Sequence, residues 1–129
     1  MSNIGSITWI MLHSFAAKIK PEIFVEQRST ILNFIKELYS NYRCVRCRKD
    51  ALEYLNSYKS IESSEDFKIY LYNFHMYVNR KLSKTYYDIN NLTNYEKTNI
   101  QDIVNKFLIR YRPNKSIELF LTSHYDWFN

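Results

Sequence analysis

A single glycine, Gly5, is the feature that most constrains how this chain of 129 residues can fold. Rossmann dinucleotide sites need three glycines and phosphate-binding loops need two, because the backbone must approach phosphate where a Cβ would stand in the way. Both kinds of site are therefore excluded. Sandwiches and barrels also depend on Gly and Pro at their many turns, and the only prolines are Pro21 and Pro113. The sequence predicts an all-α fold.

Length and composition predict one domain spanning residues 1–129, since a domain typically has about 100 to 200 residues. Hydrophobic residues make up 46% of the chain, which is enough for a buried core. The N-terminal segment lacks the basic start of a secretion signal, and no apolar run approaches the ~18 residues of a membrane-spanning helix. We therefore expect a soluble protein that does not bind a membrane.

Apolar residues recur at helical spacing along most of the chain. The first predicted helix covers residues 7–19, with Ser6 as its N-cap, and a second begins at Pro21 and continues to Tyr39. A third begins at the cysteines, and a fourth is capped by Ser64. The fourth helix has the longest apolar stripe, which predicts a central place in a bundle. The stripe consists of Phe67, Tyr70, Leu71, Phe74, His75, Val78 and Leu82.

The C-terminal third of the chain has a weaker helical pattern. Asn94 is expected to cap a fifth helix, which ends before Pro113. An aromatic group close to the C-terminus is expected to pack either on the bundle or on a second subunit. This group consists of Tyr125, Trp127 and Phe128.

Cys44 and Cys47 are the only cysteines, and they form a CxxC pair. Polar residues that break a helix precede the pair, so both sulfur atoms are expected near a helix N-terminus, where the partial positive charge favours thiolate. Arg43, Arg46 and Arg48 add full positive charges beside them. The pattern indicates a redox-active dithiol.

Three alternatives to a redox pair stay open on this pattern alone. The cysteines could simply pack in the core, or they could bind zinc together with two of the three histidines, His13, His75 and His124. The spacing fits no zinc finger and a structural site needs four ligands, so we expect no metal. A thioredoxin-like fold needs strands that alternate with helices, and the chain has no convincing strand.

A helical dithiol needs an electron acceptor, so the sequence is expected to contain a cofactor site. His75 and Asn79 lie four residues apart on the fourth predicted helix, and Trp9 and His13 repeat that spacing on the first. A single histidine on an apolar face is usually a hydrogen-bonded core residue. Together these side chains could clamp a flat aromatic cofactor without a glycine-rich loop.

Three segments in this order resemble the Erv/ALR family of FAD-linked sulfhydryl oxidases. They are GSITWIMLH at residues 5–13, YRCVRC at residues 42–47 and HMYVNRKLSK at residues 75–84, and the resemblance covers about residues 5–87. It implies a four-helix bundle with an additional C-terminal helix, a homodimer, and FAD at the mouth of the bundle. Residues 88–129 would be a C-terminal extension.

The resemblance also implies roles for individual residues. Cys47 would lie against the flavin as the charge-transfer thiolate, and Cys44 would exchange with substrate thiols. Trp9 and His75 would lie near the adenine, and Tyr86 or Tyr87 would complete that clamp. The cofactor-binding residues implied are Gly5, Thr8, Trp9, His13, Cys47, His75, Val78, Asn79, Leu82, Lys84 and Tyr87.

The chain departs from the family pattern at three positions. Arg43 replaces the proline before the CxxC motif, Met76 replaces the asparagine after the histidine, and Ser6 replaces the arginine after the glycine. These changes are expected to affect the disulfide potential and the contacts with FAD. The chain also lacks the second cysteine pair that shuttles electrons in long family members.

The implied activity is that of a thiol oxidase, in which a protein dithiol attacks Cys44, Cys47 passes two electrons to FAD, and oxygen is reduced to hydrogen peroxide. Without a shuttle pair the substrate must reach Cys44 directly, which favours a thioredoxin-like partner with its own CxxC. The alternative is a helical module without redox activity that binds nucleic acid or another protein, since the net charge is +5 and twelve residues are tyrosine. Nucleic acid is the less expected partner, because acidic residues are scattered among the basic ones.

This chain resembles the short family members without a shuttle pair that large cytoplasmic DNA viruses encode. This resemblance predicts a location in the host cytoplasm or the virion. The alternative location is the mitochondrial intermembrane space, where family members usually have additional cysteines.

Overall fold

The structure, a computed structural model, describes residues 5–84 and 89–128. These residues form α-helices and two 3₁₀-helices and contain no strand, which confirms the all-α prediction. The α-helices are α1 (Ser6–Lys18), α2 (Pro21–Glu26), α3 (Arg28–Ser40), α4 (Val45–Ser57), α5 (Ser64–Lys81), α6 (Ile100–Tyr111) and α7 (Lys115–Ser123). The 3₁₀-helices cover Ile89–Lys97 and Tyr125–Phe128. No helix in this described part of the chain is both long and apolar enough to span a membrane.

Helix α1 is enclosed by other elements along most of its length. It packs against α5, α6 and the first 3₁₀-helix, and every residue from Met11 to Ala16 is buried. The N-cap is Gly5, with no side-chain cap, so the prediction that Ser6 caps this helix was wrong. An added Cβ at Gly5 would lie 2.0 Å from the Tyr111 hydroxyl oxygen. The only glycine of the chain therefore allows α6 to pack closely against the start of α1.

The second predicted helix is two helices, because the chain turns at Gln27, whose φ is −106° and ψ is 20°. Before the turn, Phe24 stacks on Phe67 of α5 with ring centroids 5.3 Å apart. After it, α3 packs against α4 and α7, and Phe34 stacks on Phe120 of α7 at 4.0 Å. The apolar periodicity of residues 21–39 would fit one continuous helix, but the two halves of this segment pack against different helices and the chain turns between them. Helix α3 ends at Ser40, one residue beyond the predicted end at Tyr39.

The start of α5 is capped one residue earlier than predicted. The Ser63 hydroxyl accepts a hydrogen bond from the backbone N–H of Asp66 at 3.1 Å, and the Asp66 carboxylate accepts one from the Glu62 N–H at 2.9 Å. Such reciprocal bonds satisfy N–H groups that have no partner inside the helix. Ser64 is therefore the first helical residue and not the cap.

The end of α5 is a Schellman motif built on a serine. The N–H of Lys84 donates to the carbonyl of Asn79 at 2.8 Å, and the N–H of Ser83 donates to the carbonyl of Arg80 at 3.2 Å. Ser83 has a φ of 57°, the left-handed conformation that glycine adopts without a steric cost.

We expect Ser83→Gly to raise the free energy of unfolding by about 1 kcal/mol, because it removes the Cβ penalty of the left-handed conformation. Urea denaturation followed by circular dichroism measures the change. Ser40→Gly, at the helical C-terminal residue of α3, is the matched control and should destabilise. A destabilised Ser83→Gly variant would contradict the assignment.

The C-terminal segment contains two α-helices rather than the one that the sequence predicted. Asn99 caps α6 by accepting from the N–H of Asp102 at 2.9 Å, whereas Asn94 lies inside the first 3₁₀-helix, so the predicted cap was wrong. Helix α6 ends before Pro113, as predicted. The aromatic tail packs on the bundle, where Phe128 is buried and stacks on Phe15 at 4.6 Å.

Candidate redox site

The two cysteines lie at the N-terminus of α4, where the sequence predicts them. Cys44 is the N-cap, and its Sγ accepts a hydrogen bond from the backbone N–H of Cys47 at 3.2 Å. Cys47 lies in the first turn, and both residues are partly exposed. An N–H donor and the positive end of the helix dipole both favour a thiolate over a thiol. The backbone thus supplies the electrostatics that a reactive dithiol needs.

The three arginines beside the cysteines have different surroundings. Arg48 donates a hydrogen bond to the carbonyl of Tyr42 at 3.1 Å and so holds the loop before the CxxC motif. Arg46 lines the same cavity as the cysteines, while Arg43 lines a different one. The sequence could not separate a structural arginine from two that face a site.

A cavity of about 350 Å³ between α4 and α5, which we call the cysteine cavity, has both cysteines in its wall. This volume is near the lower end for ligand sites, so it suits a ring system rather than a whole dinucleotide. Lys81 and Asp50 form an ion pair of 3.1 Å in its wall. The lining residues are Cys44, Arg46, Cys47, Asp50, Ala51, Phe74, Tyr77, Val78, Lys81 and Leu82.

Three of the four side chains that the sequence predicts to converge lie together, namely Trp9, His13 and His75. The Trp9 and His75 rings stack with centroids 3.8 Å apart and planes 5° apart. His13 Nε2 and His75 Nδ1 are 2.9 Å apart, at hydrogen-bonding distance. The Tyr95 ring stacks on the His13 ring with centroids 4.9 Å apart, a contact that the sequence did not predict. We call Trp9, His13, His75 and Tyr95 the ring cluster.

Both imidazoles of the ring cluster are held neutral. Burial, and to a lesser extent the charge of His75, lowers the pKa of His13 to about 3. Burial, and to a lesser extent the charge of Lys84, lowers the pKa of His75 to about 4. Each ring therefore keeps one N–H donor and one acceptor nitrogen at neutral pH, which matches the single hydrogen bond between them.

We expect the protein to lose stability as the pH falls from about 6.5 towards 4. Unfolded histidines take up protons below their ordinary pKa of about 6.5, while the folded rings stay neutral, so protons favour the unfolded chain. Melting temperatures measured from pH 7 to pH 4 check this. His13→Gln, which keeps a neutral hydrogen-bonding group, should show a smaller fall. An equal fall in both proteins would contradict the assignment.

Phe74 connects the cysteine cavity to the ring cluster. It is fully buried, it lines the cavity, and its ring centroid lies 5.4 Å from that of Trp9. The sequence placed Phe74 on the apolar stripe, where nothing separates a wall of a site from an ordinary core residue. The two parts of the predicted site are therefore neighbours across one aromatic side chain.

The remaining predicted residues lie in several places. Val78 and Leu82 line the cysteine cavity with Cys47. Asn79 is buried on the same helix, α5. Its backbone carbonyl accepts a hydrogen bond from the backbone N–H of Lys84, whose side chain is exposed. Gly5 and Thr8 line the cavity that contains Arg43, and not the cysteine cavity. Tyr86 and Tyr87 lie outside the described residues. Within the described ranges, no three His, Cys, Asp or Glu side chains are grouped as metal ligands.

An all-helical fold with a CxxC pair at a helix N-terminus, next to stacked aromatic rings, defines a helical dithiol protein. The chain matches the Erv1 / Alr family over residues 6–101, and it belongs to that family.

One curated relative is the mitochondrial FAD-linked sulfhydryl oxidase ERV1 of Saccharomyces cerevisiae, to which the chain is 29% identical over 91 residues. The match covers 70% of this chain and 48% of the relative, so the chain spans about half the length of that protein. No solved structure matches the chain significantly.

Proposed function

We propose that this protein is an FAD-dependent thiol oxidase that forms disulfides in protein substrates and reduces oxygen to hydrogen peroxide. The observation that carries the proposal is the placement of Cys44 and Cys47. Both lie at the positive end of α4 and in the wall of a cavity large enough for a ring system. Family membership and the sulfhydryl oxidase activity for which the yeast relative is named support the same chemistry.

The apolar and aromatic walls of the cysteine cavity, from Phe74, Tyr77 and Val78, fit a flavin ring. Tyr42 lines the cavity that contains Arg43 and adds a donor next to Cys47. The Tyr42 hydroxyl is buried and has no hydrogen-bond partner among the described residues. Burial, and to a lesser extent its neighbours Tyr70 and Cys47, raises the pKa of Tyr42, so the hydroxyl stays a donor. A flavin ring carries carbonyl oxygens and ring nitrogens that accept hydrogen bonds. A buried donor near the dithiol therefore matches the chemistry of this cofactor.

The cationic and aromatic residues would hold the rest of FAD. Lys84 is exposed and would supply positive charge for a pyrophosphate, whereas the charge of Lys81 is already paired with Asp50. The ring cluster would supply a stacking surface. Trp9 and His75 are already at stacking distance, 3.8 Å, so an adenine would stack on the outside of the pair and not between the rings. When bound, FAD supplies a two-electron acceptor that oxygen can reoxidise.

The protein's own contribution is thiol exchange. In the oxidised form a bond joins the sulfurs of Cys44 and Cys47. A substrate thiolate attacks Cys44 Sγ, a bond forms between the two sulfurs, and Cys47 leaves as a thiolate. The first turn of α4 stabilises this leaving group. The second substrate thiol loses its proton and attacks the mixed disulfide, which releases Cys44 and the oxidised substrate.

The electron pair from the substrate then resides on the two sulfurs of the enzyme. FAD held beside the cysteine cavity would supply the two-electron acceptor, and loss of the pair from the dithiol would re-form the bond between Cys44 and Cys47. The balance over the whole cycle is two thiols and one O₂ converted into one disulfide and one H₂O₂. Arg46 in the wall of the cavity favours the thiolate form of the pair between these steps.

Partner, assembly and location are further parts of this proposal. We propose a thioredoxin-like protein dithiol as the substrate, because the chain has one cysteine pair and so no internal shuttle. We also propose a homodimer and a cytoplasmic location of the viral type. The mitochondrial name of the yeast relative favours the alternative compartment.

Purified protein tests the proposal directly. It should be yellow, with about one FAD per chain, and it should consume oxygen when dithiothreitol is added, with one hydrogen peroxide formed per oxygen. Free FAD at the same concentration is the control for uncatalysed oxidation. A colourless protein that consumes no oxygen would contradict the proposal, and one that also retards DNA in a gel would support the nucleic-acid alternative.

A further inference from the structure

A second cavity, of about 500 Å³, is lined by Arg43, the residue next to Cys44 in sequence. Three arginines line it, Arg43, Arg110 and Arg112, and we call it the arginine cavity. Arg43 directly precedes Cys44, the residue that exchanges with substrate in the proposed function. The cavity is therefore next to the place where a substrate dithiol must arrive.

The positive charge of the arginine cavity is not neutralised by the described part of the chain. The ion pairs among the described residues use cations other than the three arginines of the cavity, namely Arg28, Lys68, Lys81, Lys106 and Lys115. No Asp or Glu lines the cavity. Guanidinium groups bind carboxylates in two-pronged hydrogen bonds, and a concave cationic surface attracts anions at long range. The cavity is thus suited to a negatively charged ligand.

The inner wall of the arginine cavity is apolar. It includes Leu38 of α3, Phe107 of α6 and Ile117 of α7, all of which are buried. A free phosphate ion would use only the arginines. A peptide with an apolar side chain between acidic residues would use both the wall and the charges. The mixed lining favours a peptide segment.

We infer that the arginine cavity docks an acidic segment of the substrate protein, with an apolar side chain between carboxylates, and so selects acidic dithiol proteins. The inference rests on the proposed function for its position beside Cys44. Arg110 and Arg112 lie beyond residue 101, where the match to the family ends. The C-terminal segment of this chain therefore contributes a determinant of substrate choice.

Two peptides with the same CxxC motif and the same apolar residue test the inference, one flanked by Asp and Glu and the other by Asn and Gln. For each, kcat/KM is measured from oxygen consumption at low salt. We expect the acidic peptide to be preferred at least about 10-fold, and the preference to shrink as salt screens the charges. Because the comparison uses the ratio of the two kcat/KM values, any change in the basal rate of the enzyme cancels.

The double variant Arg110→Gln/Arg112→Gln should reduce that ratio to within about 3-fold of one, since two of the three charges are lost. Lys59→Gln/Lys97→Gln removes the same charge from exposed positions outside the cavity and should keep the preference. Arg110→Lys/Arg112→Lys keeps the charge without the two-pronged geometry and should give an intermediate ratio. Circular dichroism confirms that each variant is folded.

Three results would overturn the inference. The wild-type protein could show no preference, the preference could survive in Arg110→Gln/Arg112→Gln, or that variant could lose its flavin. The last result would assign the arginines to the cofactor. Should the wild-type protein oxidise no dithiol, the proposed function fails and docking is tested by fluorescence anisotropy with a cysteine-free acidic peptide. Binding that the double variant loses would support docking, and no binding would overturn it.

Discussion

Cys47→Ser is expected to lower oxygen consumption with a dithiol by at least about 1,000-fold while FAD stays bound, because the serine hydroxyl cannot carry the electron pair of a thiolate. The exchange of sulfur for oxygen changes little volume in the wall of the cysteine cavity. The side chains of α5 and the ring cluster, where we propose that FAD binds, are not altered. The measurement is the oxygen-electrode rate per bound flavin.

The controls for this variant lie in the same helix. Cys44→Ser should lose turnover as well, because Cys47 alone cannot form the disulfide whose sulfur–sulfur bond the substrate thiolate must break. Ser57→Ala, at the opposite end of α4, removes an exposed hydroxyl that donates to the carbonyls of Glu53 and Tyr54 in its own helix, and it should keep the wild-type rate. A Cys47→Ser protein that retained more than about one-tenth of the rate would refute the assignment of this sulfur.

Phe74→Ala is expected to lower the free energy of unfolding by about 3–5 kcal/mol, because it removes a fully buried ring and leaves a cavity. The ring lies within 5.4 Å of Trp9 and within 5.3 Å of Tyr39 and Tyr54, measured between centroids. Such a loss is a large part of the roughly 5–15 kcal/mol that stabilises a typical domain. Urea denaturation gives the value.

Phe74→Leu keeps most of the buried volume and should cost less than about 2 kcal/mol. The pair of variants separates loss of volume from loss of the aromatic contact. The alanine variant also joins the cysteine cavity to the space beside Trp9, so flavin content per chain should fall with it. A loss of stability below about 1 kcal/mol in Phe74→Ala would show that the ring does not serve as the common wall.

Local sequence signals predicted the elements that carry the dithiol. Helix α4 begins at Val45 because the sulfur of the preceding residue, Cys44, serves as its cap, and polar residues before the CxxC motif end α3. The convergence of Trp9, His13 and His75 follows from four-residue spacing on two helices that both face the core. These features need no knowledge of the tertiary structure beyond a bundle.

Helix boundaries were harder to predict, because neighbouring residues of similar chemistry compete for each cap. Ser63 rather than Ser64 caps α5, and Asn99 rather than Asn94 caps α6. Ser6 has no capping role at all. The turn at Gln27 has no Gly or Pro to mark it and depends on where α2 and α3 find their partners.

The parts of the site that depend on contacts far apart in sequence could not be predicted. Tyr95 reaches His13 across 82 positions of the chain only because the first 3₁₀-helix packs on α1. The arginine cavity joins Arg43 to Arg110 and Arg112 through the packing of α6 beside the start of α1. No spacing rule connects such residues.

Anaerobic titration of the purified protein with dithiothreitol tests the central claim most directly, namely that the Cys44–Cys47 pair delivers electrons to a bound flavin. The yellow absorbance of the wild-type protein should bleach as the dithiol is added and return when air is admitted. In Cys47→Ser the same dithiol should leave the flavin oxidised. Equal bleaching in both proteins, or no bleaching in the wild-type protein, would contradict the account.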